Sequence, residues 1–263
     1  MIPSLSQDLW RSPPAFLQLA ENVIHLWYAP LEQPKSVVEQ LYQTLSTEER
    51  ARAKRFYFER DRQHFIVGRA VLRNVLGRYI SLEPQHLQFC YGAHGKPALL
   101  QLRGNDILHF NVSHSNGIAL YAIALNRELG VDVEYIRYLA DADQIADSFF
   151  SLSERKALRS LTTEDVRIEA FFCCWTRKEA YVKALGNGLS QPLDQFDVSL
   201  LPGDDAELLA VQGKPEEIQR WKLHAISLPS PYERQYKAAL VVECNPSKEA
   251  LPIQAWQWQA EGE

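Results

Sequence analysis

The sequence predicts an α+β fold made of two similar lobes, each a long helix packed on a small antiparallel sheet. Of its 263 residues, 46% are hydrophobic and 23% are charged, which are the proportions of a globular protein. A serine-acid helix start occurs twice, and each copy is followed by a long helical pattern and then by strand-like stretches. Two matched lobes of this kind leave a crevice between them, and we expect the active site to lie there.

The first lobe is predicted from the segment LSTEER at 45–50, where acidic residues follow Ser46 as is typical of a helix start. The helical pattern continues to Leu76 and Gly77, and a glycine is common just after a helix. Strands are predicted to follow at 87–91 and 117–125.

The second lobe is predicted from LSER at 152–155, where Ser153 precedes an acid. Its helical pattern ends at Leu185 and Gly186, and strands are predicted at 196–201 and 236–243. The alternating tail with Trp256 and Trp258 is expected to cover a sheet edge. We place the lobes at 1–126 and 127–263. A chance similarity between two common helix starts is the alternative.

The charges of the chain narrow the range of partners. A net charge of −5 argues against general nucleic-acid binding. Nine basic and four acidic residues nevertheless lie between Glu48 and Arg78. This basic segment is either a solvated helix face with i,i+4 ion pairs or a patch for a phosphorylated ligand or an acidic partner. The segment alone does not decide between the two.

The sequence also predicts the location of the protein. The N-terminus lacks the basic start and unbroken apolar core of a secretory signal. The longest apolar stretch, at 118–125, is far shorter than the roughly 20 residues that span a bilayer. The four cysteines match neither a disulfide framework nor a CxxC zinc site. We therefore expect a cytoplasmic protein with no membrane contact.

Three carboxylates are candidate site residues. In GVDVE at 130–134, the alternation places Asp132 and Glu134 on one face of a strand, although a half-exposed strand without a function has the same pattern. In WTRKEAYVKALG at 175–186, Glu179 and Lys183 are one helical turn apart, a spacing that a surface ion pair shares.

Together the three carboxylates indicate a metal site. Two like charges about 4 Å apart repel by roughly 4 kcal/mol at an effective dielectric near 20, so the cluster needs a cation. Because only oxygen ligands are available, Mg2+ is the preferred ion, and it commonly joins carboxylates to substrate phosphates. Lys183 would face the same phosphates.

Two further segments carry side chains that suit phosphate. HFNVSHSNG at 109–117 ends a strand at an Asn-Gly turn, where Ser113 and His114 can donate hydrogen bonds; a structural role is the alternative for the histidine. GAHGKP at 92–97 predicts a turn that presents Lys96. It lacks the P-loop pattern, so a plain hairpin is the alternative.

Taken in this order, the segments resemble 4′-phosphopantetheinyl transferases of the Sfp type, the two-lobed class that activates carrier proteins. The resemblance covers about three quarters of the chain, from 46 to 242. The segments that carry it are RFYFERDRQHFIVGR at 55–69, GKP at 95–97, HFNVSHS at 109–115, GVDVE at 130–134 and WTRKEAYVKALGNGL at 175–189.

The resemblance implies a Mg2+-dependent transfer of the 4′-phosphopantetheine arm of coenzyme A to a serine of an apo acyl or peptidyl carrier protein, with release of adenosine 3′,5′-bisphosphate. The N-terminal lobe would contribute to coenzyme A binding, and the C-terminal lobe of a monomer would hold the metal and catalyse. The implied metal ligands are Asp132, Glu134 and Glu179. The implied coenzyme A contacts are Arg52, Lys96, Ser113, His114 and Lys183.

Parts of the mechanism stay open at this point. Glu179 and Lys183 are the expected catalytic residues, and either Glu179 or a water held by the metal is the candidate general base. Some family members carry a lysine and a threonine where this chain has Glu49 and Phe65. The residues that bind the 3′-phosphate of coenzyme A are therefore not identified from the resemblance. The carrier protein would meet the basic segment and the apolar residues of 136–150, with core packing as the alternative for Phe149 and Phe150.

Two other functions are alternatives. A Mg2+-dependent phosphohydrolase or nuclease would use the same carboxylates, but two-metal hydrolases need more acidic ligands than the sequence offers nearby. A non-catalytic module would bind coenzyme A or a carrier protein, but it would have no need of a metal site.

Overall fold

The computed structural model describes residues 10–92, 95–100, 106–186, 188, 191–244 and 251–260. Two sheets pack face to face through an apolar core, and a long helix covers the outer side of each sheet through a core of its own. The predicted pair of α+β lobes is therefore confirmed. In the part of the chain that is described, no helix has the length and apolar character that crossing a bilayer requires.

The N-terminal lobe contains a five-stranded sheet in the order β1-β12-β2-β6-β5. Its strands are β1, Trp10–Arg11; β2, Ile24–Pro30; β5, Leu108–Ser115; β6, Ile118–Leu125; and β12, Ile253–Gln257. Its helices are α1, Lys35–Gln43; α2, Thr47–Ala53; and α3, Glu59–Ile80. A separate hairpin is formed by β3, Phe89–Tyr91, and β4, Pro97–Leu99.

The edge of this sheet differs from the prediction. The C-terminal strand β12 lies between β1 and β2 and runs parallel to both, so the sheet is mixed rather than purely antiparallel. Trp256 pairs in register with Trp27. The tail therefore extends the sheet beyond β2, as the expectation of a covered edge has it, but β1 pairs with its other side and forms the edge itself.

The C-terminal lobe contains a three-stranded antiparallel sheet in the order β10-β11-β7. Its strands are β7, Leu129–Tyr135; β10, Trp221–Ile226; and β11, Tyr236–Glu243, with the small hairpin β8, Phe196–Val198, and β9, Leu208–Val211. Its helices are α4, Ala142–Phe149; α5, Leu152–Ser160; α6, Glu164–Leu185; and α7, Glu217–Arg220. The strand predicted at 236–243 has these bounds, whereas the strand predicted at 196–201 is shorter.

Each predicted long helix is divided in two, and one predicted cap is wrong. Ser46 caps α2 as expected. In the second lobe the cap is Ser151, not Ser153: the Ser151 hydroxyl accepts the N–H of Glu154 at 3.2 Å, and the Glu154 carboxylate accepts the N–H of Ser151 at 2.8 Å. This reciprocal pair satisfies two backbone donors that the helix itself cannot.

The predicted end of the first helix at Gly77 is also wrong. Helix α3 continues to Ile80, and Ser81 takes the left-handed conformation after it (φ 51°). Gly77 is needed for a different reason, because a Cβ there would lie 2.5 Å from the carbonyl oxygen of Leu82. The second helix ends at Gly186, as predicted.

The structure extends the internal repeat to a buried ion pair in each lobe. In the first lobe the Glu49 carboxylate accepts Nε of Arg73 at 2.7 Å, and in the second the Glu154 carboxylate lies 2.8 Å from Nζ of Lys178. Arg73 donates to the carbonyls of Pro84 and Leu87, just as Lys178 donates to those of Leu193 and Phe196.

These pairs define the register of the repeat. Ser46, Glu49 and Arg73 precede Ser151, Glu154 and Lys178 by one constant number of residues. The same separation relates α3 to α6 and β2 to β7, end to end. The two lobes therefore contain the same strand, cap, ion pair and long helix in matching places.

Strand β7 sends alternate side chains to two layers. Leu129, Val131 and Val133 lie in the core between the sheets. The other face is turned toward α6, where Gly130 leaves no room for a side chain: a Cβ would lie 2.1 Å from the Ala180 carbonyl oxygen. This close approach places the acidic face of β7 directly against α6.

Candidate active site

Asp132 is the most buried of the three carboxylates, with 3% of its surface exposed. Its Oδ1 accepts hydrogen bonds from Nζ of Lys183 at 2.6 Å and from the Ser113 hydroxyl at 2.8 Å. Its Oδ2 is buried and has no hydrogen-bond partner among the described residues. A buried carboxylate oxygen without a partner is costly, so it marks a place for a cation or a donor.

Glu134 and Glu179 lie close enough to Asp132 for their charges to interact. Burial, and then the negative charge of Asp132, raises the pKa of Glu134. Burial and the charges of Asp132 and Glu134 also raise the pKa of Glu179, against the opposing effect of Lys183. The strand and the helix thus bring the three predicted carboxylates together, and their repulsion is only partly compensated.

The three carboxylates are not arranged as a complete metal-binding site in this structure. Within the described ranges, no three His, Cys, Asp or Glu side chains are arranged to hold an ion. The site nevertheless fits a hard divalent cation, because it offers only oxygen donors and one of them, Oδ2 of Asp132, is buried and unpartnered. The Glu179 carboxylate makes no hydrogen bond or ion pair with described residues that would compete for such an ion.

A cavity of about 1020 Å³ opens in the N-terminal lobe between α2, α3 and β5. Ser115, whose hydroxyl donates to Glu134, is one of its lining residues. Arg52 and His114 both line it, as expected for residues that meet one ligand. The Arg52 guanidinium stacks over the Phe65 ring, 5.1 Å from its centre. Burial and the positive charges of Lys183 and Arg52 lower the pKa of His114, so its ring is neutral at pH 7 and donates one hydrogen bond.

Two other residues that were expected to contact coenzyme A, Ser113 and Lys96, direct their side chains away from the cavity. Ser113 lies on the opposite side of β5 from His114 and bonds Asp132, Lys183 and the N–H of Val133. Nζ of Lys96 lies 2.8 Å from the Glu128 carboxylate. It also contacts the carbonyl of Ala184, at the end of α6. In this structure neither side chain lines the cavity.

Glu49 lines the cavity but is not a free negative charge there. Arg69 and Arg73 both donate to its carboxylate. Arg69 also donates to the Tyr91 hydroxyl at 2.9 Å. The cavity wall therefore keeps its positive character, with Arg52 and Arg55 unpaired among the described residues.

Sequence reasoning missed several residues that build the site. Gly130 permits the contact between β7 and α6. Glu128 holds Lys96, and His109 approaches the same carboxylate at 3.3 Å. Ser115 donates to Glu134 at 2.9 Å. A signal for Ser115 was present, because polar residues at alternate positions of a buried strand indicate a partner on that side.

The repeat explains why only the C-terminal lobe carries this site. The constant separation between the lobes places Trp27 and Ala29 at the positions of Asp132 and Glu134, and Asn74 and Arg78 at those of Glu179 and Lys183. The Arg78 guanidinium lies over the Trp27 ring at 5.4 Å, in the place of the Lys183 ion pair. An indole and a guanidinium thus fill the equivalent space in the first lobe.

The aromatic residues of the segment 136–150 differ in burial. Phe150 is fully buried in the core of the C-terminal lobe, which confirms the packing alternative for this residue. Phe149 is 42% exposed and contacts the ring of Trp175. Tyr138, which follows β7, is 70% exposed.

Both lobes of the chain match models of known protein families. Residues 32–125 match the family described as "4'-phosphopantetheinyl transferase, N-terminal", and residues 128–241 match the 4'-phosphopantetheinyl transferase superfamily. The chain is 42% identical over 202 residues to 4'-phosphopantetheinyl transferase HetI of Nostoc sp., covering 77% of this chain and 84% of the relative. It is 32% identical over 171 residues to 4'-phosphopantetheinyl transferase Sfp of Bacillus subtilis, covering 65% of this chain and 72% of the relative.

Proposed function

The chain belongs to the 4′-phosphopantetheinyl transferase superfamily and transfers 4′-phosphopantetheine to carrier proteins, and we propose that Asp132, Glu134 and Glu179 hold the Mg2+ that the transfer from coenzyme A requires. The observation that supports this site most directly is the buried, unpartnered Oδ2 of Asp132 beside two carboxylates of raised pKa. Family membership favours the transferase over the phosphohydrolase and the non-catalytic module.

The proposed reaction joins the carrier to one phosphorus of the coenzyme A diphosphate. The serine Oγ of the carrier forms a bond to the phosphorus that bears the pantetheine arm. The bond from that phosphorus to the bridging oxygen breaks, and the bridging oxygen leaves with adenosine 3′,5′-bisphosphate. Such a transfer asks the protein mainly for positioning and for neutralisation of charge.

The residues around Asp132 suit these two tasks. Mg2+, when bound, supplies Lewis-acid stabilisation of the charge on the diphosphate. Lys183, whose Nζ already lies 2.6 Å from Asp132, adds a positive charge at the same place. His114 offers a hydrogen bond from the cavity wall. Ser113 and Lys96 would contact coenzyme A only after their present partners release them.

The N-terminal cavity suits the nucleotide end of coenzyme A. Its volume of about 1020 Å³ and the guanidinium of Arg52 on its wall match a large anionic ligand. Charge-assisted contacts contribute roughly 1.5–3 kcal/mol each, so a few of them account for micromolar affinity, about 8 kcal/mol. Both lobes of one chain contribute residues to the site, so we infer that the protein acts as a monomer. We also infer that it acts in the cytoplasm.

The serine proton needs an acceptor, and we assign this role to Glu179. Mg2+ bound to this carboxylate would lower its basicity, so a water held by Glu179 at the metal is the alternative acceptor. Glu179 lies on α6 one turn before Lys183, so base and cation approach the same reacting groups.

The proposal is tested by incubating the protein with coenzyme A, Mg2+ and an apo carrier protein and weighing the carrier. The wild type should add one phosphopantetheine arm per carrier, and EDTA should stop the reaction until Mg2+ is restored. Asp132→Asn should lower the rate by about 100-fold or more. The matched control is Asp147→Asn, in which an exposed carboxylate paired with Arg159 is lost. Wild-type turnover of Asp132→Asn, or hydrolysed coenzyme A with an unmodified carrier, would overturn the assignment.

A further inference from the structure

Strand β5 carries polar side chains at alternate positions, and three of them contact β7 of the other lobe. Asn111, Ser113 and Ser115 each accept a backbone N–H from β7, donated by the residues at 131, 133 and 135. The three distances are 3.0, 3.3 and 3.1 Å. The two lobes are therefore joined at this edge by side chains in place of a backbone ladder.

The two serines do something that Asn111 does not. Each serine accepts the N–H of one β7 residue and donates its own hydroxyl hydrogen to the carboxylate of the residue before it. Ser113 donates to Asp132 at 2.8 Å, and Ser115 donates to Glu134 at 2.9 Å. A hydroxyl has one hydrogen to donate, so each serine in this arrangement is committed to one carboxylate oxygen.

We propose that Ser115 is a positioning residue of the metal site, which fixes the Glu134 carboxylate from the opposite lobe so that its second oxygen is left for the ion. This inference rests on the metal site of the proposed function. Among the residues that the structure describes, Glu134 has no other close partner of this kind, because Arg137 approaches it only to 4.0 Å. Without Ser115 the carboxylate would keep its charge but lose its fixed orientation.

The energetic reason lies in the geometry that the ion demands. Mg2+ and Mn2+ require oxygen ligands in near-octahedral places, and a ligand that rotates freely must be ordered when the ion binds. Hydrogen-bond partners of metal-binding carboxylates commonly contribute 10- to 100-fold to metal affinity. Ser115 places such a partner on the N-terminal lobe, so the affinity for the ion depends on one hydrogen bond that crosses from that lobe to Glu134.

The test is a Mn2+ titration of the full chain, in which electron paramagnetic resonance measures the free ion. Ser115→Ala should bind Mn2+ about 10-fold more weakly than the wild type. Ser115→Thr keeps the hydroxyl and should restore most of the affinity. Asn111→Ala is the matched control, because it removes the same kind of bond to a β7 N–H without touching a carboxylate. It should lower the unfolding temperature but leave Mn2+ affinity unchanged.

The outcomes separate this inference from the proposed function. If the wild type binds Mn2+ and Ser115→Ala binds it equally well, Ser115 does not position Glu134. The same conclusion follows if Asn111→Ala and Ser115→Ala lose equal affinity, since the effect would then be a general loosening of the lobe junction. A wild type that binds no Mn2+ overturns the metal site itself, and the role of Ser115 with it.

Discussion

Gly130→Ala should disable the site by pushing β7 away from α6. The added Cβ would lie 2.1 Å from the carbonyl oxygen of Ala180 and 2.4 Å from the backbone nitrogen of Ala184. Ordinary contact begins at 3.4 Å, so the two backbones must separate by about 1.3 Å. A shift of that size would move Lys183 out of hydrogen-bond distance of Asp132, which is now 2.6 Å. It would also move Glu179 away from the strand carboxylates.

A displacement near 1 Å at a reacting centre costs about 100-fold in rate, and overpacking costs roughly 1–3 kcal/mol of stability. The assay is carrier modification followed by mass spectrometry, with circular dichroism and urea unfolding on the same sample. Gly68→Ala is the control for the stability measurement, because its Cβ would meet nothing closer than 3.6 Å and alanine favours the helix. A Gly130→Ala protein with wild-type rate and stability would refute the idea that this contact sets the geometry.

Three further expectations concern charge. Because the pKa values of Glu134 and Glu179 are raised in the folded protein, their contribution to the free energy of unfolding of the metal-free protein should fall as the pH rises from their ordinary pKa of 4.5 through the raised values. The double variant Glu134→Gln/Glu179→Gln lacks both groups and should gain stability relative to the wild type over that pH range in urea titrations; a stability difference that does not change with pH would contradict this. Lys178→Met leaves the buried Glu154 charge unpaired and should lower the free energy of unfolding, measured in urea, by about 3–5 kcal/mol. Arg159→Met removes one partner of an exposed pair and should lower it by less than about 1 kcal/mol. Equal losses of stability in the two variants would contradict the argument from burial. Arg52→Ala should raise KM for coenzyme A by about 10-fold or more with little change in kcat, while Lys54→Ala, which does not line the cavity, should not; an unchanged KM would remove Arg52 from the binding site.

The sequence carries the parts of the fold that depend on local pattern. Alternation in GVDVE predicts β7 and the shared face of Asp132 and Glu134, because side-chain direction in a strand has a period of two. The Asn-Gly pair predicts the tight turn between β5 and β6, where Asn116 and Gly117 both have positive φ. Such features need no knowledge of distant segments.

Features that depend on contacts between distant segments could not be predicted from local sequence patterns. The parallel pairing of β12 with β2 joins the two ends of the chain, and no local pattern specifies its direction. The direction of Lys96 is decided by Glu128, a residue on another element. The true cap of α5 was misplaced by two residues because Ser151 and Ser153 both precede an acid, and only the geometry of Glu154 separates them.

The site was partly predictable for the same reason. Sequence spacing brought Glu179 and Lys183 to one face of a helix, and chemistry required a cation among three carboxylates. The depth of Asp132 and the roles of Ser113 and Ser115 arise where the two lobes meet, which spacing within either lobe does not describe.

The most direct test of the metal site is a crystal structure of the full chain with coenzyme A and Mn2+, with anomalous diffraction used to locate the ion. We expect one anomalous peak in contact with Oδ2 of Asp132 and with the carboxylates of Glu134 and Glu179, at roughly 2.0–2.3 Å from each oxygen, beside the diphosphate. Coenzyme A bound in the N-terminal cavity with no peak at these three residues, or with Mn2+ held elsewhere, would contradict the account.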